Sequence, residues 1–290
     1  MNHLKHIMRK ILPQRQWQQL ARLKARWSVD LYVRTHALLP LPQAVSVKEG
    51  LRLKGKLDYP QAEILMTLDS SIQLGRLHAC KKEPETIEWI KTYIRPGEVL
   101  YDIGANVGAY SFVAHAVTSG NCTIYAFEPS FSTFAALSQN VLLNHCEGKI
   151  VPLHLALSDE TKLLMFNYFH VTPGSALHSL GEPSGEDRLP FQPEFTQPIL
   201  TYRLDGLLHQ FMLRQPNHIK LDVDGAELSV LCGAEETLAY SGLRSVLVEV
   251  DEERYPSGEI RHCLESKGFR IRSRHPRGQS ETLANYIFER

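Results

Sequence analysis

Cysteine is scarce in this chain and follows no pairing pattern. Cys80, Cys122, Cys146, Cys232 and Cys263 are scattered, odd in number and nowhere in a C-x-x-C arrangement. That excludes a disulfide framework and a cysteine-based zinc site, and it points to a reducing compartment. Net charge is lacking too. The 32 Lys and Arg balance 32 Asp and Glu, so no overall field draws the chain to nucleic acid or to a membrane. No apolar run is long enough to span a bilayer. The stretch "MNHLKHIMRKILPQRQW" has no apolar core of signal-peptide length, and the expected location is the cytoplasm. Internal repeats and low-complexity tracts are also missing.

What is there is an ordinary globular composition over 290 residues, enough for one large α/β domain with a small appendage. The charge is segregated. Between Met1 and Lys56 there are twelve Lys and Arg against Asp30 and Glu49, and the rest of the chain carries the compensating excess of acids. Leu4, Ile7, Met8, Ile11 and Leu12 recur at helical spacing. After Pro13 the spacing resumes with Trp17, Leu20, Leu23, Trp27 and Leu31, which predicts a second helix. Pro40 and Pro42 are expected to end this helical region. Basic residues opposite Trp17 and Trp27 invite a peripheral membrane reading. The favoured reading is an accessory helix pair that packs on the main domain or makes a dimer, because Pro13 breaks the amphipathic surface. "LRLKGKL" suggests a small β element. Residues 1–80 are therefore read as an accessory segment and residues 81–290 as the main domain.

From Val99 the pattern becomes regular. "VLYDIGA", "CTIYAFEP" and "KIVPLHLALS" read as three strands, with helices over 107–118 and 131–145 between them and Ser130 as a cap for the second. "LLMFNYF", "PILTYRL", "HIKLDVD" and "RSVLVEV" are further strands. Asp205 is placed to cap a short helix, and helices follow over 226–239 and 257–267. "FRIRSRH" and "NYIFE" close the chain as two strands. A helix over 83–95 precedes the series. Strands alternating with helices at this spacing predict a Rossmann-like α/β fold, a mostly parallel sheet covered on both faces.

The stretch "YDIGANVGAY" lies at the first turn of this series. A dinucleotide loop of the G-x-G-x-x-G type needs its second glycine so that backbone can approach a pyrophosphate. Here the aligned residues are Gly104, Asn106 and Ala109, with Gly108 beside them. Asn tolerates a left-handed conformation, so the turn can survive while the phosphate site is lost. A ligand with an adenosine and no phosphates fits, and S-adenosylmethionine is one. Glu128, at the end of the second strand, is placed to accept hydrogen bonds from both ribose hydroxyls. Asp102 is placed to balance the cationic amino acid portion. The plainer alternatives are turn glycines and a solvated strand end.

The runs "KEPETIEWI", "DIGANVGAYS", "FEPSFSTFAALSQNVLLN", "LALSD", "LDGLL" and "IKLDVDGAELSVLCGAEETL" carry a resemblance to the FkbM-type methyltransferases, S-adenosylmethionine-dependent enzymes of the class I fold. They stand in the family's order and cover about residues 81–251. The resemblance implies a seven-stranded sheet and O-methylation, often of sugar hydroxyls in glycans or of natural-product hydroxyls. Asp224 departs from it, since the family more often has Glu there. Pro129 and Ser158 complete the expected cofactor-binding set.

Methyl transfer is an in-line displacement in which the cofactor brings the electrophile, so the protein must align the reactants and exclude water. A hydroxyl acceptor must also lose a proton. Lys220, Asp222 and Asp224 share one side of their strand by period two, and the two acids lie at its carboxyl end, where ligands bind in open α/β sheets. Glu227 and Glu249 are near. Asp222 is assigned to cofactor positioning and Asp224 to the acceptor or base role, with strand-end capping of the next helix as the structural alternative. A divalent cation is a separate option because carboxylates converge, though no ligand spacing demands one. The loop 170–197 is too long for a bare connection and should border the acceptor pocket. His170, Ser175 and His178 are its candidates for contacting a hydroxylated acceptor or acting as base, His178 being counted with Asp222 and Asp224 among the catalytic candidates, and a merely solvated loop histidine is the plainer alternative. Asn140 and Asn144 are read as structural. The competing functions are an NAD-dependent oxidoreductase, against which Asn106 argues, and a catalytically silent S-adenosylmethionine-binding protein. No basic and aromatic groove for nucleic acid is evident.

Overall fold

The computed structural model describes residues 39–183, 191–255, 258–278, 280 and 282–290. The basic helices expected over residues 4–31, and part of the 170–197 loop, lie outside the described residues. The chain divides into two compact units at Arg52 and Leu53. In the first, the described element is helix α1 (Leu41–Gly50), with Pro40 at its N-cap and Pro42 in its first turn. These prolines open a helix, and the helical region they were expected to end lies outside the described residues. A first-turn residue has no intrahelical partner for its N–H, so proline costs nothing there.

The second unit opens with β1 (Lys54–Lys56), β2 (Leu65–Thr67), α2 (Ser71–Arg76), α3 (Ala79–Lys82) and α4 (Pro84–Tyr93). There follow β3 (Val99–Ile103), α5 (Ala109–Val117), β4 (Thr123–Phe127), α6 (Phe131–Leu143) and β5 (Ile150–Leu153). Next come β6 (Ala156–Leu157), β7 (Lys162–Tyr168), β8 (Ser179–Leu180), β9 (Phe195–Tyr202) and α7 (Leu204–Phe211). The chain closes with β10 (His218–Leu221), α8 (Glu227–Cys232), α9 (Glu235–Ala239), β11 (Ser245–Asp251), α10 (Glu259–Ser266), β12 (Arg270–Pro276) and β13 (Leu283–Glu289). No described helix is long and apolar enough to cross a membrane.

Seven strands form one sheet in the order β12-β13-β11-β10-β3-β4-β5. β11, β10, β3, β4 and β5 run parallel, and β13 pairs antiparallel with β11. The class I fold is present. Every residue of β3 and β10 is buried, as parallel strands covered on both faces require. One face packs Trp89, Ile90, Phe112 and Leu137 from α4, α5 and α6. The other packs Leu204, Leu208, Leu231 and Leu264 from α7, α8 and α10. From β3 the chain steps outward to β4 and β5, and from β10 it steps the other way to β11. The carboxyl ends of β3 and β10 therefore flank the point where strand order reverses, and the crevice outside them is the ligand position of such sheets.

Several local expectations change. The run 149–158, expected as one strand, divides: β5 joins the main sheet and β6 pairs with β9 in a second sheet of order β6-β9-β7-β8. The helix expected over 226–239 divides at Gly233, where an added Cβ would lie 2.1 Å from the Ser158 carbonyl oxygen. Asp205 does not cap its own helix. Its carboxylate accepts the N–H groups of Glu236 and Thr237 at 3.0 and 2.9 Å, and so satisfies the first turn of α9, which has no cap side chain of its own. Ser130 holds the N-cap position of α6 without a capping hydrogen bond.

Residues 53–80, expected on the accessory side, lie in the same unit as the sheet. Asn140 and Asn144 of α6 explain why. Their side-chain oxygens accept the N–H groups of Thr67 and Leu65 at 2.7 and 2.8 Å. Asn140 also donates to the Val107 carbonyl at 3.0 Å. The structural reading of both asparagines is the one their bonds support.

Candidate active site

The turn after β3 is built on three left-handed residues. Gly104, Asn106 and Gly108 have φ of 81°, 50° and 91°. At Gly104 the reason is contact as well as conformation, because an added Cβ would lie 1.7 Å from the Asp222 carbonyl oxygen. The N–H groups of Gly104 and Ala105 donate to the Phe127 carbonyl at 3.0 and 2.9 Å. Asn106 N–H donates to Glu128 Oε2 at 2.9 Å, and Val107 N–H donates to Asn106 Oδ1 at 3.0 Å. Gly108 N–H donates to the Ala105 carbonyl at 2.8 Å. All five N–H groups from 104 to 108 are thus spent inside the protein, whereas a phosphate loop keeps them for its ligand.

A cavity of 520 Å³ opens beside this turn, within the usual range for a small-molecule site. Gly104, Asn106, Glu128, Pro129, Asp222 and Asp224 all border it, as do Ser175 and His178. The sequence-predicted residues therefore converge from β3, β4, β10 and the 170s loop. Glu128 is 5% exposed and accepts the Asn106 and Ser130 N–H groups, one on each oxygen, at 2.9 Å. A carboxylate offers about four acceptor positions, so it retains capacity toward the cavity. Burial pushes its proton affinity up, to about 7, although those two N–H groups act in the opposite sense.

Four expected residues stand elsewhere. Gly108 shapes the turn without bordering the cavity. Asp102 is 0% exposed and does not border the cavity. Its Oδ2 accepts the Ser111 hydroxyl at 2.6 Å, and Lys220 Nζ lies 3.6 Å from Oδ1. The two are register partners on adjacent strands, so their side chains share a face. Ser158 is buried, donates to Asp159 at 2.9 Å, and also lies off the cavity wall. His170 is exposed and pairs with Glu194 at 3.3 Å.

Asp222 faces the cavity and accepts from Lys220 Nζ at 3.2 Å. Burial acts to raise the Asp222 carboxyl, but Lys220 and then Arg277 outweigh it and hold it below the ordinary range, so it is ionised. Lys220 is 2% exposed. Burial acts to lower its proton affinity, and Asp222, Asp102 and Glu83 raise it further than burial lowers it. Asp224 sits one turn beyond the strand at φ 54°, and its Oδ2 accepts the Leu177 N–H at 2.7 Å. Glu227 turns back to accept the N–H groups of Val223 and Gly225 at 3.1 and 3.0 Å. It holds the loop that presents Asp222 and Asp224. Burial, and after it the nearby Asp222 charge, pushes the Glu249 carboxyl well up.

His178 is 8% exposed. Its Nδ1 accepts the Phe169 N–H at 3.2 Å. The residues that sequence reasoning missed are Arg76, Tyr110 and Arg277, all on the cavity wall. Tyr110 stands inside the quoted loop stretch, in the first turn of α5, and its position one residue past Ala109 was the available signal. Arg277 comes from beyond β12 to meet Glu83 at 2.5 Å and Glu249 at 3.2 Å, and nothing near it in sequence announces that. Among the described residues, no group of three or more His, Cys, Asp or Glu is arranged to hold a metal.

Comparison with known proteins adds a family to this geometry. Residues 102–271 match the Methyltransferase FkbM domain. The chain is 29% identical over 198 residues to a 31-O-demethyl-FK506 methyltransferase of Streptomyces tacrolimicus, covering 61% of this chain and 75% of that protein. It is 27% identical over 201 residues to a hexuronic acid methyltransferase of Haloferax volcanii, covering 69% and 76%. A solved FkbM methyltransferase from Methylobacillus flagellatus overlaps 76% of this chain and 56% of its own, at 17% identity and a TM-score of 0.44.

Proposed function

Because this chain belongs to the FkbM methyltransferase domain family, we propose that it transfers the methyl group of S-adenosylmethionine to a hydroxyl of a sugar, glycan or natural product. The observation that carries the cofactor part is the turn at 104–108. Its N–H groups are consumed internally, which disfavours a diphosphate, while Glu128 offers a carboxylate to hydroxyl donors. The donor set fits the cofactor: an ionised Asp222 suits a cationic end, and Glu128 suits a ribose.

Bound S-adenosylmethionine supplies an electrophilic methyl carbon and a neutral leaving group. The chain's own residues do the rest. Asp224 takes the acceptor hydroxyl's proton, and Asp222 is held ionised by Lys220 at the cationic end. The segment 175–177 closes the cavity, tied to Asn106 through the Ser175 carbonyl and to Asp224 through the Leu177 N–H. The acceptor class is supported by the relatives, one named for 31-O-demethyl-FK506 and one for hexuronic acid.

Calorimetry with S-adenosylhomocysteine and with NADH tests the cofactor. The expected result is binding of the first at about micromolar concentration and none of the second, and the reverse order ends the reading. Transfer of labelled methyl to a panel of hydroxylated glycans then tests the acceptor. Binding without transfer to any member would make the chain a silent binder.

A further inference from the structure

His178 has one ring nitrogen occupied and one waiting. Nδ1 accepts the Phe169 N–H at 3.2 Å, so in the neutral ring the proton resides on Nε2. Burial pushes the ring's proton affinity down to about 4, and the ring is neutral at physiological pH. Nε2 is buried and has no hydrogen-bond partner among the described residues, although His178 borders the cavity. A buried N–H without a partner is costly, and a ligand in the cavity would satisfy it. An Nε2 that already carries hydrogen has no lone pair with which to remove a proton, so a base role for His178 does not suit this tautomer.

The surroundings say what kind of atom Nε2 meets. The His178 ring lies 5.4 Å from the Phe166 ring and 5.3 Å from the Tyr168 ring, centre to centre. Phe166, Leu180, Ala156 and Leu157 line the cavity as well. An apolar and aromatic wall suits a flat heteroaromatic ring. A sugar hydroxyl bonded to Nε2 would still have its own O–H to satisfy against that wall. A purine ring nitrogen is an acceptor only, and it leaves nothing unpaired. The carboxylates that suit the ribose and the cationic end are other members of the cavity wall.

We propose that His178 is a fixed hydrogen-bond donor whose Nε2–H binds a ring nitrogen of the purine of the bound S-adenosyl ligand. This rests on the proposed cofactor, and its test is chosen to fail separately. Nitrogen-15 NMR of histidine-labelled full-length protein, with the His178 signals identified by their loss in His178→Gln, should show a proton on Nε2. A proton on Nδ1 overturns the proposal. Calorimetry then compares S-adenosylhomocysteine with its 1-deaza, 3-deaza and 7-deaza analogues. One analogue should bind the unaltered protein about three- to tenfold more weakly, the range expected for one neutral hydrogen bond. His178→Phe should weaken S-adenosylhomocysteine by a similar factor and bind that analogue no more weakly than its parent. His178→Gln, which keeps an N–H donor, should recover part of the loss. Equal binding of the parent and all three analogues to the unaltered protein overturns the donor role and leaves the cofactor standing. Failure of S-adenosylhomocysteine itself to bind removes the cofactor reading and this one with it.

Discussion

Two short segments meet at the edge of the cavity, and they are held in opposite ways. The turn 104–108 is held by its own backbone and by Phe127 and Glu128 on the adjacent strand. The segment 173–177 is held from all over the chain. Ser70 donates to the Pro173 carbonyl at 2.8 Å and Arg76 Nε to the Gly174 carbonyl at 2.9 Å. The Gly174 N–H donates to the Thr133 hydroxyl at 3.2 Å, and Asn106 and Asp224 hold Ser175 and Leu177. The first segment is held mainly by local bonds, with Asn140 of α6 adding one to the Val107 carbonyl. The second is an assembled strap, and each of its anchors is a separate point at which it can be loosened.

The sharpest way to break the first segment is Gly104→Ala. The new methyl would overlap the Asp222 carbonyl oxygen, a backbone atom that cannot rotate away, in a left-handed residue. A loss of about 3 kcal/mol or more is expected in urea unfolding. Gly97→Ala is the control. It has a similar φ of 89° and nothing within 4 Å of the added carbon, so it should cost only about 1 kcal/mol. Equal losses would mean that conformation alone, and not the approach of β10, makes Gly104 necessary.

Asp224→Asn tests where the two segments meet in function. Asn keeps an oxygen to accept the Leu177 N–H, so the strap survives while the proton acceptor is lost. Turnover should fall by about a hundredfold or more, with S-adenosylhomocysteine affinity changed by less than about threefold. Near-normal turnover would remove Asp224 from the base role.

The same contrast explains what the sequence made legible. Gly104, Asn106, Gly108 and Glu128 lie on consecutive elements of one βαβ unit, and their spacing alone implies the turn and the acid beside it. Asp102 is next to the loop in sequence, but that nearness does not put its side chain on the cavity wall. Its side chain belongs to the face where β3 meets β10, and Lys220 is its cross-strand partner. The run 149–158 misled because an apolar strand pattern does not reveal which sheet each half joins. Arg277 and Arg76 were not readable at all. Their places on the cavity wall depend on Glu83, Glu249 and Gly174, far from either in sequence.

Glu128 gives a milder test of the first segment. Its carboxyl is raised to about 7 by burial, so it is mostly protonated at pH 6 and mostly ionised at pH 8. The ionised form is the better acceptor for ribose hydroxyls. The sign follows: affinity for S-adenosylhomocysteine should rise with pH, by about tenfold between pH 6 and pH 8. Glu128→Gln should flatten that dependence and leave the weaker affinity throughout. A flat profile in the unaltered protein would mean that Glu128 serves only the Asn106 and Ser130 N–H groups.

The smallest expected effect comes from Asn106→Gly, and it asks most directly what separates this turn from a dinucleotide loop. Glycine suits a φ of 50° better than asparagine. It also removes the Oδ1 that accepts the Val107 N–H and the Nδ2 that holds the Ser175 carbonyl. Relief of strain and loss of two hydrogen bonds oppose each other, so stability should move by less than about 1 kcal/mol. S-adenosylhomocysteine should bind about two- to fivefold more weakly as the strap loosens. NADH should still not bind. Only the Val107 N–H is released, while the N–H groups of Gly104, Ala105, Asn106 and Gly108 remain engaged by Phe127, Glu128 and Ala105. Discrimination against phosphate then belongs to the whole turn, with Glu128 holding its centre. Detectable NADH binding by this variant would instead place the choice of ligand in the one side chain at 106.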